Sequence, residues 1–150
     1  MIRLILTCIL WLVAAPALAE ASAKFEGRCL EHLQWQGDYL LQRFPHLGIA
    51  YRWNGDEKYF FLVEPVQSGK ACGTAAGHVI VAALELPPEP EGAWHAVNFT
   101  CSNSKDVEIG DTVVGLFQGN GTGPSLAAWK IDPKKKRFER VESVQCKSFS

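Results

Sequence analysis

The chain has 150 residues, 47% of them hydrophobic and 21% charged, with 15 Lys or Arg against 16 Asp or Glu and a formal net charge of −1. That length makes one ordinary domain with enough chain for a real core, and the near-neutral balance excludes a nucleic-acid partner held by a basic surface.

Residues 1–19 read as a secretory signal peptide: Arg3, an apolar run from Leu4 to Ala15, then Pro16, Ala17, Leu18 and Ala19 before Glu20. The run is nearer a dozen residues than the roughly 20 that a membrane helix needs, so cleavage is expected rather than anchoring. Residues 20–150 are then a single secreted or periplasmic domain with no membrane span, and losing Arg3 moves its formal charge to −2. Cys8 leaves with the signal. The remaining Cys29, Cys72, Cys101 and Cys146 are expected to form two disulfides, because an even count in an exported chain favours bridges. Three connectivities are possible; we favour Cys29 with Cys72, tying the N-terminal element to the sheet, and Cys101 with Cys146, tying in the last strand.

In chain order, Leu30, Leu33, Leu40, Leu41 and Phe44 recur at helical spacing, and Pro45 stops the pattern, so a helix is expected over residues 30–44. Short strands follow. Leu47 to Trp53 and Lys58 to Glu64 flank Asn54-Gly55-Asp56-Glu57, a strong hairpin signal. The run Tyr59 to Val63 is apolar on both faces, which predicts a central strand covered twice. A strand from His78 to Leu86 leads into a stiff acidic loop, Pro87-Pro88-Glu89-Pro90-Glu91-Gly92, whose prolines cannot donate to a ladder. Ala93 to Cys101 is expected as its hairpin partner, with Trp94 on the open face. Further strands are expected at Thr112 to Gln118, Leu126 to Ile131 and Phe138 to Val144. The fold class is therefore α+β: mostly antiparallel sheet with one N-terminal helix packed on it.

Several constellations bear on chemistry. A zinc site at His78 and His95 is unfavoured, because the expected hairpin register turns them to opposite faces, and no motif calls for a cofactor. Redox catalysis lacks Cys-x-x-Cys spacing. The stretches 74–78 and 119–124 resemble the histidine and nucleophile segments of trypsin-like serine proteases. Gly77 nevertheless intervenes before His78 and no serine stands at the nucleophile position, so the resemblance implies no protease. The glycine loop also lacks the Lys-Ser or Lys-Thr of a phosphate cradle. Lys134 to Arg137 reads as a solvated turn, and Asn98 and Asn120 head glycosylation sequons.

These readings favour a small non-catalytic binding or inhibitory module with a protein or glycan partner outside the cytoplasm. Its expected contact surface combines Trp94, Glu89 and Glu91 of the proline loop with Asn120 and Thr122 of the glycine loop. One alternative is a small hydrolase with His78 or His95 as base near Asp106, Glu108 or Asp111. Another is a structural accessory of the cell envelope.

Overall fold

The computed structural model describes residues 22–67, 72–73, 76–102, 105–121 and 123–147, so the expected signal peptide lies outside the described residues. Residues 22–25 are helical, and a 3₁₀ turn follows at Leu30–His32. Among the described residues ten strands come next: β1 Gln36–Phe44, β2 Leu47–Asn54, β3 Glu57–Val66, β4 Gly77–Glu85, β5 Ala93–Asn98, β6 Cys101–Ser102, β7 Val113–Gln118, β8 Ala127–Asp132, β9 Arg137–Val141 and β10 Gln145–Cys146. The first four form one antiparallel sheet in the order β1-β2-β3-β4. A second four-stranded sheet runs β5-β7-β8-β9, and β6 pairs with β10 beside it. Mostly antiparallel sheet, a short N-terminal helix and two disulfides make the α+β class expected from the sequence.

The two sheets pack face to face. Ile49, Phe60, Leu62 and Leu84 of the first sheet share one core with Val114, Leu116, Trp129 and Ile131 of the second. Strict alternation then puts Tyr59, Phe61 and Val63 on the other side of β3, where Phe25, Leu30 and Leu33 cover them. β3 is thus central and covered twice, as its unbroken apolar run predicts. The second sheet has an outer cover of its own, in which Val113, Phe117 and Ala128 meet Val107, Val144 and the Cys101–Cys146 bridge. The Cys29–Cys72 bridge fixes the other cover, where residues 27–29 add to the free edge of β4: Gly27 N–H donates to Ile80 O, and Ile80 N–H to Arg28 O, each at 2.9 Å. Each outer cover therefore carries one disulfide, in the connectivity favoured from sequence.

Two expected elements are corrected. Residues 30–44 do not form one helix, because only Leu30–His32 is helical and Gln36–Phe44 is a strand. Pro45 and His46 form the tight turn that pairs Phe44 with Leu47, and along the strand Tyr39 and Leu41 point inward while Leu40 is exposed. Tertiary pairing overrides the helical spacing here, as it often does for local preference. The second correction concerns β4 and β5, which do not pair; β4 lies against β3 and β5 against β7. The proline loop carries the chain from one sheet to the other. Val81 and Val97 do face a common core, across the sandwich rather than within a ladder, and that explains why their apolar matching resembled a hairpin register.

The β2–β3 hairpin matches its expectation. Asn54 pairs with Glu57, and Gly55 takes the positive φ of 60° that the two-residue turn requires. Among the described residues no helix is long and apolar enough to cross a membrane.

Candidate functional site

A cleft of about 330 Å³ opens where the first sheet meets the proline loop. Asp38, Tyr51, Trp53 and Lys58 line it from β1, β2 and β3; Glu89 of the loop and Trp94 and His95 of β5 close the other side. Local sequence explains the placement. A β-bulge between Gly37 and Tyr39 inserts Asp38 as an unpaired residue, and bulges redirect a side chain in this way. The absence of a side chain at Gly37 leaves room for the Arg52 guanidinium, whose Nη1 would lie 2.1 Å from a Cβ there. Arg52 spans the ladder beneath, donating from Nη1 to Tyr51 O at 2.9 Å and Tyr39 O at 3.2 Å. On β2, alternation puts Tyr51 and Trp53 on the inner face with Ile49; their rings lie 5.3 Å apart, and Trp53 Nε1 donates to Gln36 Oε1 at 2.8 Å.

The polar wall is a linked set. Glu89 receives the Lys58 ammonium on Oε2 and the His95 backbone N–H on Oε1, the latter at 3.2 Å. The His95 ring is fully buried, with Nε2 2.8 Å from Pro87 O and Nδ1 2.9 Å from Glu89 Oε1. The Nδ1 contact is close but poorly aligned, so it makes no proper hydrogen bond. Nε2 therefore carries the proton donated to Pro87, and imidazole and carboxylate together hold the proline loop against β3 and β5.

Burial lowers the pKa of His95, outweighing the charge of Glu89 and the Pro87 bond that act to raise it. For Glu89 burial acts upward, but the bonds from Lys58 and from the His95 backbone, together with their charges, hold the carboxyl below its ordinary range. Tyr51 is pushed up to about 12 by burial and then by the charges of Glu89 and Asp38, so both carboxylates act on one ring.

A second histidine–glutamate pair lies at the edge of the first sheet. Glu31 Oε1 is 2.6 Å from His78 Nδ1, and Glu31 Oε2 accepts the His78 backbone N–H at 2.9 Å. The same carboxylate lies 2.9 Å from Cys29 Sγ and 3.9 Å from Cys72 Sγ. Those sulfurs are bonded to each other and offer no thiolate to a metal, so the grouping is a packing contact at the bridge.

Of the residues expected to bind, Trp94 and Glu89 meet in the cleft. Glu91 is exposed at the end of the proline loop, and Asn120 is exposed in the β7–β8 turn. Gly119 N–H donates to Gly92 O at 3.2 Å, so proline loop and glycine turn adjoin at one end of the second sheet. Thr122 lies outside the described residues. Trp94 departs from expectation in one respect: it does face away from Val97, but that side of the sheet is covered and Trp94 packs half-buried on the outer cluster.

The carboxylates against the two histidines are Glu89 and Glu31. They are not the Asp106, Glu108 or Asp111 named for a hydrolase; Asp111 instead accepts the Glu108 N–H at 3.0 Å. Asn98 is 1% exposed, its Oδ1 taken by Thr100 N and Oγ1, which closes the first sequon in the folded protein. In the basic turn, Lys135 and Arg137 pair with Glu139, and Lys136 with Glu64.

Sequence reasoning missed Asp38, Lys58 and Glu31, and left the orientation of Tyr51 and Trp53 open. A bulge and a loop docking across sheets have no local signature; only the density of aromatics around Tyr51 pointed here. Comparison with protein-family models, curated proteins and solved structures finds no match to this chain.

Proposed function

We propose that this protein is an exported, non-catalytic binding module whose ligand occupies the cleft between Trp53 and the proline loop. The observation that carries the reading is the state of His95: its ring is buried, Nε2 is committed to Pro87, and Nδ1 faces Glu89 rather than the opening. A general base must reach the proton that it takes, and this imidazole reaches only its own loop. What remains open to a ligand is an aromatic surface beside fixed polar groups, the usual composition of a recognition site. Two disulfides suit an oxidising compartment outside the cytoplasm, which supports the export expected from residues 1–19.

The test compares immobilised wild type with a Trp53→Ala variant. Material from the native exported fraction should be retained by the first and lost from the second, while chromogenic ester, amide and glycoside substrates turn over no faster than in buffer. Equal retention by both proteins would remove the cleft from the reading. Turnover abolished by His95→Gln would replace the binder with an enzyme.

A further inference from the structure

Trp53 lines a second cleft as well. A depression of about 260 Å³ is bordered by Gln34, Gln36, Trp53, Asn54 and Gly55. Trp53 is thus common to both clefts, and its indole is oriented by the Nε1 bond to Gln36 and by the tilted contact with Tyr51.

We infer that the two clefts are neighbouring subsites for a neutral oligosaccharide, with Trp53 as the platform common to both. The inference rests on the binding reading above and adds the class of ligand. The first reason is chemical balance. A sugar hydroxyl both donates and accepts, so its site must offer both functions within reach of an apolar ring face. Asp38 and Glu89 accept and Lys58 donates in the first cleft; in the second, the amides of Gln34, Gln36 and Asn54 do both.

The second reason is charge. Lys58 and His95 are both held against Glu89, which leaves Asp38 as the one carboxylate of the cleft with no ion pair among the described residues. A field that small suits an uncharged ligand better than a strongly cationic one. The third reason is placement. Gln36 stands directly opposite Trp53 in the ladder, Gln34 precedes it by two residues and the bulged Asp38 follows, so one stretch of chain lends polar groups to both clefts beside Trp53. Polar groups in two clefts that share an aromatic residue suit a ligand of more than one ring.

The probes are glucose and N-acetylglucosamine, each beside its β-1,4-linked hexamer, titrated calorimetrically into the protein. At least one hexamer should bind, at least tenfold more tightly than its monomer, and Trp53→Ala should abolish the binding. A Gln34→Ala/Asn54→Ala double variant alters the second cleft and should reduce hexamer affinity to near the monomer level; hexamer affinity equal to wild type would overturn the second subsite. Monomer and hexamer binding equally would overturn the two-subsite inference and leave the binding module standing. Binding of no sugar at all would overturn the glycan assignment, as would Trp53- and Asp38-dependent binding of an oligoarginine peptide in place of sugars. Unfolding of the variants is excluded by their circular dichroism.

Discussion

The molecule holds a histidine–glutamate pair in each sheet, and the two differ in surroundings rather than in chemistry. His95–Glu89 has a fully buried ring, a backbone acceptor on the second nitrogen and a lysine on the carboxylate. His78–Glu31 is partly open, with side chains 24% and 46% exposed, and it rests on a disulfide that holds the same segment independently. The shorter contact, 2.6 Å against 2.9 Å, belongs to the exposed pair. Distance therefore says little about what a pair contributes. Burial decides, because a buried polar group that loses its partner cannot be rescued by water.

The largest separation between the two regions should come from the bridge beside the exposed pair. Replacing Cys29 and Cys72 by Ser opens a link between residues 43 apart, which should cost about 4 kcal/mol in urea unfolding. Hydrogen exchange should then show residues 27–35 released while β5 and the proline loop stay protected. Loss of protection at His95 as well would mean that the two regions are not independent.

Next in size is truncation of each ring. His95→Ala removes a fully buried ring together with the partner of the Pro87 carbonyl and should cost about 2–3 kcal/mol; His78→Ala, with solvent at hand, should cost about 0.5 kcal/mol or less. Equal losses would refute burial as the deciding variable. Glu89→Gln should cost about 1–2 kcal/mol, because Lys58 loses its charge partner and the His95 backbone N–H its charged acceptor, and proteolysis of residues 86–92 should quicken. Glu31→Gln should leave that loop unaffected.

The smallest effect is in pH dependence. The folded pKa of His95 lies below its unfolded value of about 6.5, so the unfolded chain takes up the proton first and stability falls as the pH drops from about 7 toward 5. The His95→Gln variant should flatten that window. Glu89 and Glu31 are both held below the ordinary carboxylate range, so their contributions are present at neutral pH and are lost below about pH 4.5. Urea midpoints measured at several pH values in the single variants should assign the upper window to His95 and the acid limb to the two glutamates.

How much of this was legible in the sequence depends on the range of the interactions. The Asn54-Gly55 hairpin and the doubly covered β3 were written in adjacent residues, and the bridges followed from the cysteine count with a reasoned preference among three pairings. The helix expected over residues 30–44 failed because Leu40, Leu41 and Phe44 fit helical spacing and strand alternation equally well, and the pairing of Phe44 with Leu47 across Pro45 settled the matter. Trp94 was assigned the correct side of its strand, yet whether that side meets water depends on β6 and β10, far along the chain.

By itself, the sequence determined the mostly antiparallel class, the Asn54-Gly55 turn and the cysteine set. All of these rest on alternation, on turn chemistry or on residue type, which act within a few residues. The tertiary structure alone decided which sheet each strand joins, that Asp38 and Lys58 meet Glu89 across the sandwich, and that one histidine is locked while the other is open. Those outcomes depend on burial and on contacts between residues distant in the chain, and no local pattern encodes what a side chain meets once the sheets have packed.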